Sequence, residues 1–145
     1  MRFCISIPHQ FGPRVIASVA RGFVHQLVHT NLLLMRIAGM RNLKAPSVYR
    51  AGVVWALQPS IADGQELSTW ADCLKRGWGD CKDLSAWRVA ELIATGVDPG
   101  ARVLVYWRAL RNGPPRFYHA EVRRTNAFAS TGFREDPSRF LGMPS

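Results

Sequence analysis

Cys81, His119 and Asp136 are the side chains whose types could together carry nucleophilic chemistry. Cys81 lies in Gly77-Trp78-Gly79-Asp80-Cys81-Lys82-Asp83-Leu84, at the point where the pattern turns helical. Asp80 is a good N-cap, and Asp83 adds a second acid to the first turn. Cys81 then opens the helix, where unpaired N–H groups and the positive end of the helix dipole are expected to lower the thiol pKa. The thiolate is the nucleophile, so rapid alkylation below pH 7 is expected of such a residue. Gly77 and Gly79 would let a substrate backbone approach closely. The competing reading is that Cys81 packs under the helix, since free cysteine is among the most buried residue types.

A thiol nucleophile needs a base, and histidine is the usual one. His25 and His29 are spaced i,i+4 along one helix face with no third ligand, and His9 sits in a proline-flanked start. His119 differs, because it lies inside the strand-like run Arg116 to Arg124, where Phe117, His119 and Glu121 share a face. The base in turn wants an orienting group. Asp136 follows a third strand and also reads as an N-cap with Pro137 at the first helical position. Both roles coexist only if one carboxylate oxygen faces each way. Glu121 is the rival orienter, and Glu135 should point away from Asp136.

These residues must be held by elements that the pattern outlines. Apolar residues from Val15 to Ile37 keep a three-to-four spacing, which predicts an amphipathic helix over 14–38, or two with a break near Thr30-Asn31. The run 41–46 reads as a loop, 48–57 fits either a strand or a helical turn, and 59–65 is a second loop. A short helix should run from Ser68 as N-cap to Lys75, stopped by Gly77. The helix that Cys81 opens should end at Gly96. Two strands, 102–109 and 116–124, should flank the turn Arg111-Asn112-Gly113-Pro114-Pro115-Arg116, with a third strand between Phe128 and Glu135. Asp136 to Gly142 reads as a closing helix. Helices first and an antiparallel meander second predict an α+β fold, with the sheet packed on the cysteine-bearing helix. One domain over 1–145 is expected, divided into a basic helical region, 1–46, and a core, 47–143.

The 145 residues suffice to bury a core, and no apolar run reaches the roughly 18 residues of a membrane span. The first fourteen residues make a poor secretory signal. Three cysteines, Cys4, Cys73 and Cys81, without a Cys-x-x-Cys spacing, argue for free thiols in a reducing compartment. The net charge of +9 is uneven, with seven basic and no acidic side chains before Asp63. Such a front half could meet nucleic acid or an acidic partner, or be only a basic surface helix. The acidic residues never gather at an oxygen-ligand spacing, so neither a metal nor another cofactor is expected.

The block "GWGDCKDL", the later "YHAEV" and the closing "EDPSRFLGM" together resemble the transglutaminase-like superfamily of papain-fold cysteine enzymes. They are most similar to its small members from tailed phages and prophages, over roughly Tyr49 to Met143. The resemblance implies a triad with Cys81 as nucleophile, His119 as base and Asp136 as orienter. It implies an oxyanion hole built from the Cys81 backbone N–H and one side-chain donor, for which Trp70 is the first choice and Gln65 the second. The expected activity is thiol-dependent acyl transfer on peptide or glutamine-type amides, as peptidase, deamidase or transglutaminase. The alternative is a virion or assembly component that keeps the fold for binding phage structural proteins or nucleic acid. Either fits the cytoplasm of a bacterial host or a virion, with no membrane partner.

Overall fold

The computed structural model describes residues 2–5, 13–58, 65–108, 117–125 and 133–144. In chain order the elements are β1 (Arg2–Ile5), α1 (Pro13–Met40), a 3-10 turn (Val48–Arg50), β2 (Val54–Trp55), β3 (Gln65–Ser68) and α2 (Trp70–Arg76). They continue with β4 (Trp78–Gly79), α3 (Cys81–Ala94), β5 (Arg102–Arg108), β6 (Phe117–Arg123), β7 (Arg134–Glu135) and α4 (Pro137–Phe140). The fold is mixed helix and strand, compatible with the α+β class. The turn 111–116 and most of the third strand predicted over 128–135 lie outside the described residues.

The helix α3 is the hub. Asp80 caps it in extended conformation, its Oδ1 accepting the N–H groups of Lys82 at 3.1 Å and Asp83 at 3.2 Å. From Lys82 to Trp87 every side chain of α3 is buried, so the helix is enclosed rather than merely striped. Val24, Leu27 and Val28 of α1 join Leu84, Trp87 and Leu92 of α3 in one core with Val103, Val105, Ala120 and Val122 of the sheet. The basic N-terminal helix is thus part of the same core as the rest of the chain.

Three small sheets surround α3. β5, β6 and β7 form an antiparallel meander in which Tyr106 pairs with His119 and Val122 with Glu135. β2 runs parallel to β4, and β1 runs antiparallel to β3. β1 has no counterpart in the sequence reading; its partner lies 60 residues away, and four residues carry too little pattern to announce a strand.

Two boundaries differ from expectation for local reasons. α1 is a single 28-residue helix without a break at Thr30-Asn31. Thr30 shares the Gln26 carbonyl through its hydroxyl at 3.0 Å, a back-bond that a helix accommodates, and buried Asn31 turns its side chain outward from the helix to accept the Trp70 N–H at 2.9 Å. The cap of α2 is Thr69 rather than Ser68, because Thr69 and Asp72 form a reciprocal capping box while Ser68 stays in β3. Gly77, at φ 79°, stops α2 as expected.

Candidate active site

The N-terminus of α3, the strand β6 and the start of α4 converge on the residues singled out in the sequence. Among the described residues β7 pairs with β6 at Val122 and Arg123, and no strand pairs with Ala120 on that edge. The first turn of α3 fills that edge. Ser85 donates its hydroxyl to the Ala120 carbonyl at 2.9 Å, and Ala120 provides a main-chain hydrogen bond to the Cys81 sulfur. Cys81 and Ser85 are one helical turn apart and so share a face. Cys81 therefore lies against the residue that follows His119.

His119 is fully buried, with the Tyr106 ring edge-on at 5.8 Å between centroids. Its Nε2 lies 2.9 Å from Asp136 Oδ2 and 3.8 Å from Glu121 Oε1. Only the first is a hydrogen bond. The Tyr106 hydroxyl takes Glu121 Oε1 instead. A carboxylate only accepts, so Nε2 carries a proton in this contact, and in the neutral ring the lone pair is then on Nδ1.

Asp136 performs two tasks with its two oxygens. Oδ1 accepts the N–H groups of Ser138 at 3.1 Å and Arg139 at 3.3 Å, capping α4, while Oδ2 faces His119. Burial alone would raise its pKa, but the His119 hydrogen bond and the capping N–H groups together hold it below the ordinary carboxylate range. Its seat is fixed from the other face of β7. Glu135 points the opposite way and binds Arg88 Nε at 2.6 Å, Arg124 Nη1 at 2.9 Å and the Tyr49 hydroxyl.

The thiol itself departs from expectation. The Cys81 pKa is pushed up to about 12, first by burial of the sulfur and then by the Asp80 carboxylate; Lys82 and the Ala120 hydrogen bond only partly offset this. A helix N-terminus supplies about 0.3–1 kcal/mol to an anion at an exposed site, far less than desolvation removes here. Cys81 is a neutral thiol at neutral pH. Cys73 is more deeply buried, and its thiol is also pushed up by burial.

Other site residues fall as follows. Trp70 stands at the start of α2, its ring 6.2 Å from that of Trp87, and its buried indole N–H has no hydrogen-bond partner among the described residues. The side chain of Gln65 and the whole of His9 lie outside the described residues. His25 is half-buried and His29 exposed, both on α1. Gly79 is buried for packing rather than open for a substrate: a Cβ there would meet Leu84 Cδ2 at 3.0 Å and Cys73 Sγ at 3.2 Å.

Sequence reasoning missed the brace behind the Cys81 turn. Asp83, fully buried, accepts the Ser68 N–H at 2.9 Å and pairs with Arg76 at 2.7 Å. Burial and the Asp80 carboxylate push the Asp83 pKa up, against the pull of Lys82, Ser68 and Arg76. Lys82, also buried, pairs with Asp80 Oδ2 and donates to Gln58 Oε1 at 3.2 Å. An acid at the third position of a helix reads as a dipole partner, so nothing in the sequence signalled this hub. Comparison with protein-family models, with curated proteins and with solved structures finds no match for this chain. No helix among the described residues is long and apolar enough to cross a membrane.

Proposed function

We propose that the chain is a thiol acyl-transfer enzyme of transglutaminase-like type, with the papain-like core that the sequence resemblance implies. The observation that carries this reading is the 2.9 Å hydrogen bond between His119 and Asp136, set in the strand whose next residue, Ala120, meets the Cys81 sulfur. Cysteine, histidine and aspartate come in that chain order, on a helix start, a strand and a strand end.

With a neutral thiol, deprotonation accompanies attack. The Cys81 sulfur adds to the carbonyl of a peptide or glutamine-type amide while its proton passes to His119 Nδ1. Asp136 stabilises the imidazolium, and the Cys81 N–H with the Trp70 indole N–H would receive the oxyanion. The C–N bond then breaks, His119 returns the proton to the leaving amine, and a thioester remains. Water completes hydrolysis or deamidation, whereas a primary amine completes a cross-link. His119 takes the proton of that second nucleophile, and the Cys81 thiol is restored.

The test is ammonia release from a glutamine-bearing peptide, with and without a primary amine. Release abolished by Cys81→Ala and by His119→Ala is expected; release indifferent to both would overturn the assignment. A second reading draws on the raised thiol pKa and the full burial of His119: a phage assembly component that keeps the fold for binding. Its basic front half would hold nucleic acid or an acidic structural protein. This reading requires association of the whole chain with DNA or an acidic protein that weakens steeply with salt, and it fails if association is absent or salt-insensitive.

A further inference from the structure

The side chains that orient the base also have the makings of a metal site. Nε2 of His119, a carboxylate oxygen of Glu121 and one of Asp136 all lie within 4.8 Å of one another. His119 Nε2 is 2.9 Å from Asp136 Oδ2 and 3.8 Å from Glu121 Oε1. Zinc bonds of about 2.0–2.1 Å in a tetrahedron place neighbouring ligand atoms about 3.3 Å apart. These two separations bracket that edge, so small side-chain adjustments would close the site around one ion. One imidazole and two carboxylates are suitable ligands for zinc.

A second observation points the same way. Glu121 is 9% exposed; Tyr106 takes its Oε1, the oxygen 3.8 Å from His119, and its Oε2 is buried with no hydrogen-bond donor among the described residues. A buried carboxylate oxygen without a hydrogen bond is costly, and a cation beside it would relieve that cost. The cations already near are poor substitutes. Arg134 lies 3.9 Å from Glu121 Oε2 and Arg139 lies 3.4 Å from Asp136 Oδ2, both on exposed side chains. The Tyr106 hydroxyl on Glu121 Oε1 supplies an outer partner that fixes the carboxylate's orientation. Seventeen residues separate His119 from Asp136, so no sequence spacing would reveal the cluster.

We propose that His119, Glu121 and Asp136 bind one Zn²⁺ ion, and that its occupancy switches the base off. The ion replaces the proton on Nε2, and the neutral ring then carries its proton on Nδ1. The position that would accept the Cys81 proton is thereby filled. The inhibitory half rests on the catalytic reading above; the binding half does not.

The experiment is calorimetric titration of tag-free, chelator-treated protein with Zn²⁺, repeated with Co²⁺ to record the visible spectrum. One ion per chain is expected, without the thiolate-to-cobalt charge-transfer band of a Cys ligand, and with affinity falling from pH 7.5 to pH 5.5 as protons compete. Glu121→Gln and His119→Gln should each weaken binding at least about tenfold, while Cys81→Ser and His25→Ala leave it within about twofold. Asp136→Ser, which keeps the helix cap, should weaken it similarly to Glu121→Gln; circular dichroism confirms that each variant is folded. No binding, loss of binding in Cys81→Ser, or full binding in folded Glu121→Gln overturns the proposal. Activity without zinc binding refutes the metal site and spares the enzyme reading. Zinc binding in a protein that releases no ammonia does the reverse.

Discussion

Replacing Asp136 by asparagine separates its two tasks, because both of its oxygens are acceptors in use. The amide has one acceptor. If the amide oxygen keeps the α4 cap, its NH₂ faces His119 Nε2, which must then present a lone pair and move the ring proton to Nδ1. If the oxygen turns to His119, the NH₂ opposes the N–H groups of Ser138 and Arg139. The first outcome gives up a charge-assisted hydrogen bond, about 1.5–3 kcal/mol, and the second gives up a cap, about 1 kcal/mol. For a chain of this size each kcal/mol corresponds to roughly 3–4 °C in Tm. Asp136→Asn should therefore melt about 3–12 °C lower than wild type, and Asp136→Ala, which loses both contacts, lower still. In the first outcome the Nδ1 lone pair is lost and His119 no longer serves as the general base, which should cut ammonia release by about 10²–10⁴-fold. Nitrogen-15 correlation spectra of the ring read the tautomer without any need for activity. Wild type should show the Nε2–H form, and Asp136→Asn either the Nδ1–H form or a lost cap. An Nδ1–H ring in wild type would refute the reasoning. So would Asp136→Asn with unchanged Tm, tautomer and activity.

Further predictions follow from the surroundings of this pair. Alkylation of Cys81 by iodoacetamide should rise about tenfold per pH unit from pH 7 to pH 10 without a plateau, as a thiol pushed up to about 12 requires; an inflection below pH 8 would contradict this. Gly79→Ala should destabilise the fold by about 1–3 kcal/mol in urea unfolding, since the new methyl meets Leu84 and Cys73 at the distances of a tight packing contact. Glu135→Gln should cost about 1.5–3 kcal/mol, because its charge-assisted hydrogen bonds weaken while Arg88 keeps Glu91 and Arg124 keeps Asp98 as charged partners. Glu135 and Asp136 are both held below the ordinary carboxylate range in the fold, so the stability they contribute is present above about pH 4–5 and lost as the pH falls through their folded values. Acid unfolding of Glu135→Gln should accordingly show a shallower loss of stability below pH 5 than wild type.

What was legible in the sequence were the local signals. Asp80 before a helical pattern, Gly77 after one, and Pro137 behind Asp136 each act within a turn, and each appears where it was read. The alternation around His119 put Glu121 on its face, the end of the third strand offered Asp136, and the two-sided use of Asp136 follows from counting its acceptors. What was illegible depends on distant chain. The thiol was expected to ionise easily because the helix start is visible in the sequence and the desolvation of its sulfur is not. β1 needs β3 to exist as a strand, and Asp83 needs Ser68 and Arg76 to become a hub. α1 stays continuous through Asn31 because Trp70, 39 residues on, uses its side chain.

The central claim is that Cys81 forms a covalent acyl intermediate with help from His119. The most direct measurement is the intact mass of the protein after rapid acid quench with an activated acyl ester or a glutamine peptide, followed by mapping of the modified residue. The account predicts a thioester on Cys81 alone, absent in Cys81→Ala and formed far more slowly in His119→Ala. An adduct spread equally over Cys4, Cys73 and Cys81, or one on Cys81 whose rate ignores His119, would contradict it.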